Sequence, residues 1–190
     1  MVICIKRFRG ILQNKLYYYV CIFVVCCVAG WMIEVVFRSL KAERLIVPGF
    51  LYGCYLPLYG VGSFLLVVCF GKASQKKVGW LRIDFMPLLI LLGSMIVLSV
   101  LEYFTHFVLE KMFKTELWSY SAHRFNIQGR VSLKQSLMFG TGGTIFIYFV
   151  YPSLKNFVMS IREEVAKIAG VSSIIILSAD FILSLEKYLN

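Results

Sequence analysis

The chain has 190 residues and a formal net charge of +10, with 59% hydrophobic and only 16% charged residues. Ordinary soluble domains carry roughly 45–50% apolar and about 25% charged residues, so this balance excludes a soluble globular fold. It also argues against nucleic-acid binding, because the basic residues lie in short loops between apolar runs, where they anchor helix ends at anionic headgroups and set topology.

Residues 1–15 are a basic N-terminal segment with Lys6, Arg7, Arg9 and Lys15. The apolar run that follows, Leu16–Phe37, exceeds the roughly 7–15 residues of a signal-peptide core, so a retained first helix is expected. Glu34 and Arg38 close this run one helical turn apart and can pair on one face, while Trp31 suits an interfacial aromatic belt. The alternative to a functional pair is a helix-end ion pair at headgroup level.

The second run, about Phe50–Phe70, has the oddest entry in the chain. Gly49 and Gly53 form a G-x-x-x-G that lets another helix approach, and Pro57 removes a backbone donor. Tyr52, Tyr55 and Tyr59 bring hydroxyls to the same region. Broken helices of this kind occur where they are buried in protein or line a polar cavity; a kinked, closely packed helix is the plainer reading.

After a basic loop with Lys72, Lys76, Lys77 and Arg82 comes the third run, about Phe85–Leu109. Glu102, His106 and Glu110 repeat every fourth residue and form a polar stripe. Two carboxylates around an imidazole suit proton relay, cation holding or headgroup orientation. They equally suit a buried structural network satisfied by Arg38, Arg124 or Arg130. A metal site draws little support, since no second ligand pair accompanies the stripe, and no cofactor is called for.

The loop Trp118–Val131 mixes aromatics, amides, Arg124, Asn126 and Arg130, and reads as an ordered re-entrant or interfacial loop. Its arginines suit a phosphate or carboxylate, or a lock onto Glu34 or Glu102. The fourth run, about Leu137–Tyr151, is short. The fifth, about Ile168–Leu185, carries Asp180, either a lone intramembrane acid or, the favoured reading, an interfacial one at an early helix end. The six cysteines lie mostly within apolar runs and read as small apolar fillers. The P-loop, H-E-x-x-H and G-x-S-x-G patterns do not occur, which argues against ATP binding through a P-loop and against the commonest metalloprotease and serine-hydrolase designs.

The expected architecture is an all-α integral membrane protein: residues 16–190 form one polytopic domain, a single bundle of about five transmembrane helices. Five spans leave eleven Lys and Arg on the N-terminal side and nine on the other, which favours a cytoplasmic N-terminus in the cell membrane. In either orientation the ends of runs one and three and the starts of runs two and four meet one membrane face. That polar face carries the candidate site: Glu34, Arg38, Tyr52, Tyr59, Glu102, His106, Arg124, Asn126 and Arg130.

Five ordered motifs carry a family resemblance: Gly30-Trp31-x-x-Glu34; Gly49-Phe-Leu-Tyr-Gly-x-Tyr-x-Pro-x-Tyr-Gly60; Leu101-Glu-Tyr103 with Glu110; Trp118-x-Tyr-Ser121; and Phe125-Asn-x-x-Gly-Arg130. From about Gly30 to Pro152 the chain resembles the putative ABC-transporter type IV (CmpB-like permease) family of small bacterial membrane proteins. The resemblance implies a bundle of five or six helices. Three positions depart from the family pattern: Ser119 stands where the family usually has Asp, Cys54 where it has Pro, and His106 where glycine is common. If that Asp carries a proton or pairs an arginine in relatives, this protein either lacks that function or uses His106 or His123 instead.

The leading functional expectation is a permease-like membrane protein, such as the membrane subunit of an ABC-type transporter, working as an oligomer or with a separate ATPase. A membrane enzyme acting on a lipid or polyprenyl headgroup is the second reading, with Glu102 or Glu34 as base and Arg124 and Arg130 as phosphate holders. A non-transporting partner or sensor subunit is the third.

Overall fold

A hydrocarbon environment leaves the backbone only its own groups to bond with, and helices meet that demand locally. The computed structural model describes residues 2–72, 79–80, 83–114, 116 and 118–189. In chain order these form α1 (Val2–Ala42), α2 (Pro57–Phe70), a two-stranded ribbon of β1 (Gly79–Trp80) and β2 (Ile83–Asp84), then α3 (Met86–Phe113). A second ribbon pairs β3 (Asn126–Ile127) with β4 (Val131–Ser132). It leads into α4 (Leu133–Ile145), a π-helical turn at Phe146–Val150, α5 (Tyr151–Ser160) and α6 (Glu163–Leu189). Lys76, Lys77 and Arg82 of the expected basic loop lie outside the described residues.

Among the described residues four helical stretches are long and apolar enough to cross a membrane: Leu16–Ala42, Met86–Phe113, Leu133–Ser160 and Glu163–Glu186. Pro57–Phe70 is a shorter apolar helix. The chain is therefore an all-α integral membrane protein, with five apolar helices near the five expected runs but with different bounds. The second run is helical only from Pro57. Proline suits the first helical position, where its missing N–H is not needed, and it disfavours helix in the residue before it. Gly49, at φ 135°, adds a conformation that side chains resist. The fourth run is longer than expected: the helix continues through the π turn to Ser160. The Tyr151 N–H reaches back to the Phe146 carbonyl, and this wider turn lets the chain pass Pro152, which has no N–H to donate. The fifth run does not end early but reaches Leu189.

The helices fall into two compact units: residues 1–60 with 153–190, and residues 61–152. In the first, α1 packs on α6. Gly170 brings α6 against Tyr17, and the Cys21 thiol donates to the Ala166 carbonyl at 3.6 Å. Gly60 meets Cys27 and Phe23, and the Leu56 N–H donates to the Cys27 carbonyl at 3.0 Å. Cys26 and Cys27 are buried there as compact apolar side chains.

In the second unit α3 and α4 run antiparallel along a seam of small residues. The Ser99 and Ser136 hydroxyls meet at 2.6 Å. Gly140 faces Met95 and the Leu91 carbonyl, and Gly143 faces Ser94. Small residues at such spacing let helix backbones approach where no hydrophobic force drives association. Leu66, Met86, Ile90 and Ile147 form the buried core beside this seam.

A Cβ on Gly143 would lie 2.7 Å from the Ser94 Cβ, whereas one on Gly142 would meet nothing within 4 Å. Gly143→Leu is expected to cost about 1–3 kcal/mol by overpacking. It should visibly lower the melting temperature of the detergent-solubilised protein, while Gly142→Leu leaves it within about a degree of wild type.

Candidate functional site

The candidate residues are distributed over both units: Glu34, Arg38, Tyr52 and Tyr59 in the first, Glu102, His106, Arg124, Asn126 and Arg130 in the second. In the first unit, one turn of α1 sets Arg38 Nε 2.7 Å from Glu34 Oε1. The Tyr59 hydroxyl, on the first turns of α2, donates to Glu34 Oε2 at 2.9 Å. Both carboxylate oxygens are thus engaged, one by a cation and one by a phenol. Gly30 makes this possible, since a Cβ there would collide with the Tyr59 ring. On the same turn, the Trp31 indole N–H is buried with no hydrogen-bond partner among the described residues.

Tyr52 does not join that cluster. Its side chain is exposed, and its backbone N–H donates to Asp180 Oδ1 at 3.0 Å. The Gly53 N–H donates to Asp180 Oδ2 at 2.8 Å, the Tyr55 hydroxyl donates to the same oxygen, and the Ser184 hydroxyl donates to Oδ1 at 3.0 Å. Asp180 is 9% exposed. It lies well inside α6 and acts as the anchor of the irregular segment 43–56. Phe50 packs near Phe181 beside it, with ring centroids 6.3 Å apart. Burial and the neighbouring Asp180 carboxylate push the Tyr55 phenol well above the ordinary tyrosine range, so it stays a proton donor. Sequence reasoning missed this anchor; the available signal was Asp180 and Ser184 one turn apart on an otherwise apolar helix.

In the second unit the α3 stripe meets the loop that follows it. Buried Glu102 accepts from the Tyr120 hydroxyl at 2.8 Å. Buried His106 donates from Nε2 to the Trp118 carbonyl at 2.9 Å, and its ring meets the Trp118 ring edge-on at 5.2 Å. A carbonyl can only accept, which assigns the proton to Nε2 and turns Nδ1 toward Glu110 Oε2 at 3.7 Å. Glu110 is bound more tightly by Arg130, through Nε at 3.0 Å and Nη2 at 2.7 Å.

Arg130 also donates from Nη1 to the Tyr103 hydroxyl at 3.1 Å and to Gln128, and it lies over the Tyr103 and Phe107 rings. The hydrogen bond to Glu110 holds its guanidinium above the ordinary arginine range. Arg130 is therefore the cation that pairs with the stripe, at Glu110. Arg38 serves Glu34 instead.

Arg124 is exposed, with its guanidinium 5.6 Å from the Phe125 ring centroid. Asn126 builds the turn: its amide donates to the His123 carbonyl at 2.6 Å and accepts from the Gly129 N–H at 2.9 Å. Gln128 and Gly129, in the three-residue loop between Ile127 and Val131, both have positive φ, at 54° and 69°. A Cβ on Gly129 would press on the Ser121 hydroxyl, which bonds Ser119 at 2.8 Å. Among the described residues no group of three or more His, Cys, Asp and Glu is arranged to hold a metal ion.

The model of the family described as Putative ABC-transporter type IV matches residues 21–185. No curated protein and no solved structure matches the chain.

Removing the Asp180 carboxylate would leave two backbone N–H groups and a phenol without their acceptor. Asp180→Ala is expected to destabilise the solubilised protein by about 3 kcal/mol, with Asp180→Asn intermediate, as read by thermal unfolding. The raised Tyr55 value also has a sign. Its contribution is fully present below the ordinary tyrosine value of about 10 and is lost as pH climbs through the raised folded value. Tyr55→Phe should therefore shallow the alkaline fall in melting temperature above about pH 10.

Proposed function

Because the chain belongs to the putative ABC-transporter type IV family, we propose that it is the multi-pass membrane subunit of an ABC-type transporter. In this reading it sits in the cell membrane with a cytoplasmic N-terminus, assembles as an oligomer or with sister subunits, and takes its energy from a separate ATPase. The family match over residues 21–185 is the observation that carries the proposal. The apolar helices supply the membrane body that such a subunit needs.

Within the candidate set, Glu34, Arg38 and Tyr59 make the group best suited to touch a polar cargo. Glu34 and Arg38 keep 24% and 34% of their side-chain surface exposed, so a cargo can exchange partners with an ion pair already in place. Glu102, His106 and Arg130 fit a supporting role, since Glu102 and His106 are buried and all three tie the loop to α3 through Tyr120, the Trp118 carbonyl and Glu110. The headgroup-enzyme reading draws less support for the same reason: one of its two phosphate holders, Arg130, is engaged by a carboxylate.

Affinity purification of tagged protein from its native membrane in a mild detergent, with mass spectrometry of whatever co-purifies, tests this reading. A stoichiometric ATPase is the expected outcome, and it would direct attention to residues 162–170 at the start of α6 as the coupling contact. Absence of any ATPase across several mild detergents contradicts the proposal. With the partner in hand, Glu34→Gln is expected to lower cargo-stimulated ATP hydrolysis at least tenfold, the effect of about 1.4 kcal/mol, while leaving assembly intact.

A further inference from the structure

The hairpin between α3 and α4 has two unlike sides. Its inner side is tied to α3 by Tyr120 on Glu102, the Trp118 carbonyl on His106 and Arg130 on Glu110. Its outer side carries Phe125 and Ile127, each 64% exposed. They are two residues apart in an extended segment and so share a face, while the Asn126 side chain between them turns back into the hairpin. Arg124 flanks this apolar pair and Lys134 follows it, both exposed. Exposed Phe and Ile at the tip of a rigid hairpin serve no purpose in water, and nothing in the turn geometry calls for them.

The register of the α3–α4 seam sets the depth of this feature. Ser136 lies opposite Ser99, and Gly140 opposite Met95, which puts Leu133 at the level of Glu102. From Met86 to Glu102 is about 24 Å of helix, less than the roughly 30 Å of a bilayer's hydrocarbon. The Leu133 N–H donates to the Phe125 carbonyl at 2.9 Å, so Phe125 sits at that same level. β4 runs into α4 with no linker between them.

We propose that this hairpin is a lipid anchor: Phe125 and Ile127 enter the acyl boundary, and the long side chains of Arg124 and Lys134 snorkel to the headgroup level, where they hold the phosphate of an anionic lipid. Between residues 111 and 134 the loop carries five basic residues against the single acid Glu116. Arg130 is already neutralised by Glu110; of the other four, Arg124 adjoins Phe125 in the chain and Lys134 follows Leu133, whose N–H holds the Phe125 carbonyl. Apolar side chains in the acyl boundary with adjacent long basic side chains snorkelling to the headgroups are the arrangement of an interfacial anchor. The proposal stands apart from the transporter reading and does not depend on it.

Photo-crosslinking tests it. Phe125→p-benzoylphenylalanine, with Ile127→p-benzoylphenylalanine as a second position should the first fold poorly, is reconstituted into vesicles of phosphatidylethanolamine and phosphatidylglycerol and irradiated. Mass spectrometry should find lipid adducts enriched in phosphatidylglycerol beyond its share of the vesicle. That enrichment should fall severalfold when Arg124→Gln and Lys134→Gln are combined. Adducts to protein, no adduct at all, or lipid adducts blind to headgroup charge would each overturn the proposal.

Discussion

Carboxylates and open backbone cannot be left unpaired in a chain built to sit in hydrocarbon, and the structure of this protein is organised around that constraint. Asp180 shows it most clearly. The segment 43–56 is not helical, so its N–H groups need acceptors from elsewhere. The Asp180 carboxylate takes two of them, from Tyr52 and Gly53, together with the hydroxyls of Tyr55 and Ser184. Each interaction is individually modest, yet the absence of competing water makes their joint loss expensive.

The same logic shapes the other unit, where the donors come from a loop rather than the acceptor from a helix. Glu102, His106 and Glu110 follow one face of α3, and Tyr120, Trp118 and Arg130 reach them in turn. The hairpin turn at Gln128 and Gly129 aims Arg130 at Glu110, and its left-handed residues make that turn possible. A loop held at three points along a helix is an ordered surface. That order is what makes its exposed side worth interpreting, and it separates residues that support the architecture from the Glu34, Arg38 and Tyr59 group, where Glu34 and Arg38 keep part of their side-chain surface uncovered by protein.

The helical, membrane-embedded class was legible from the apolar runs, and the family from motifs whose residues recur throughout the clusters. Glu34 with Arg38 was legible because one helical turn joins them. Other features depend on distances that no spacing rule reaches. Asp180 is more than a hundred residues from Tyr52, so it read as an isolated acid. The late start of α2 was foreshadowed by Pro57, but apolar composition alone extended that run to Phe50. The π turn at Phe146–Val150 left no mark in composition, and the apolar run expected to stop at Tyr151 continues as helix past Pro152 to Ser160. Arg130 was one of three arginines considered for the stripe, and only the hairpin geometry separated it from Arg124.

Hydrogen–deuterium exchange of the protein in lipid nanodiscs tests most directly whether intramembrane carboxylates hold the irregular backbone. The amides of Tyr52 and Gly53 should exchange far more slowly than those of Leu45 and Val47, which lie in the same non-helical segment and are exposed. Slow exchange at 52 and 53 beside fast exchange at 45 and 47 is the result this account predicts. Equal, rapid exchange across all four would mean that Asp180 does not hold the segment, and the account would fail at its centre.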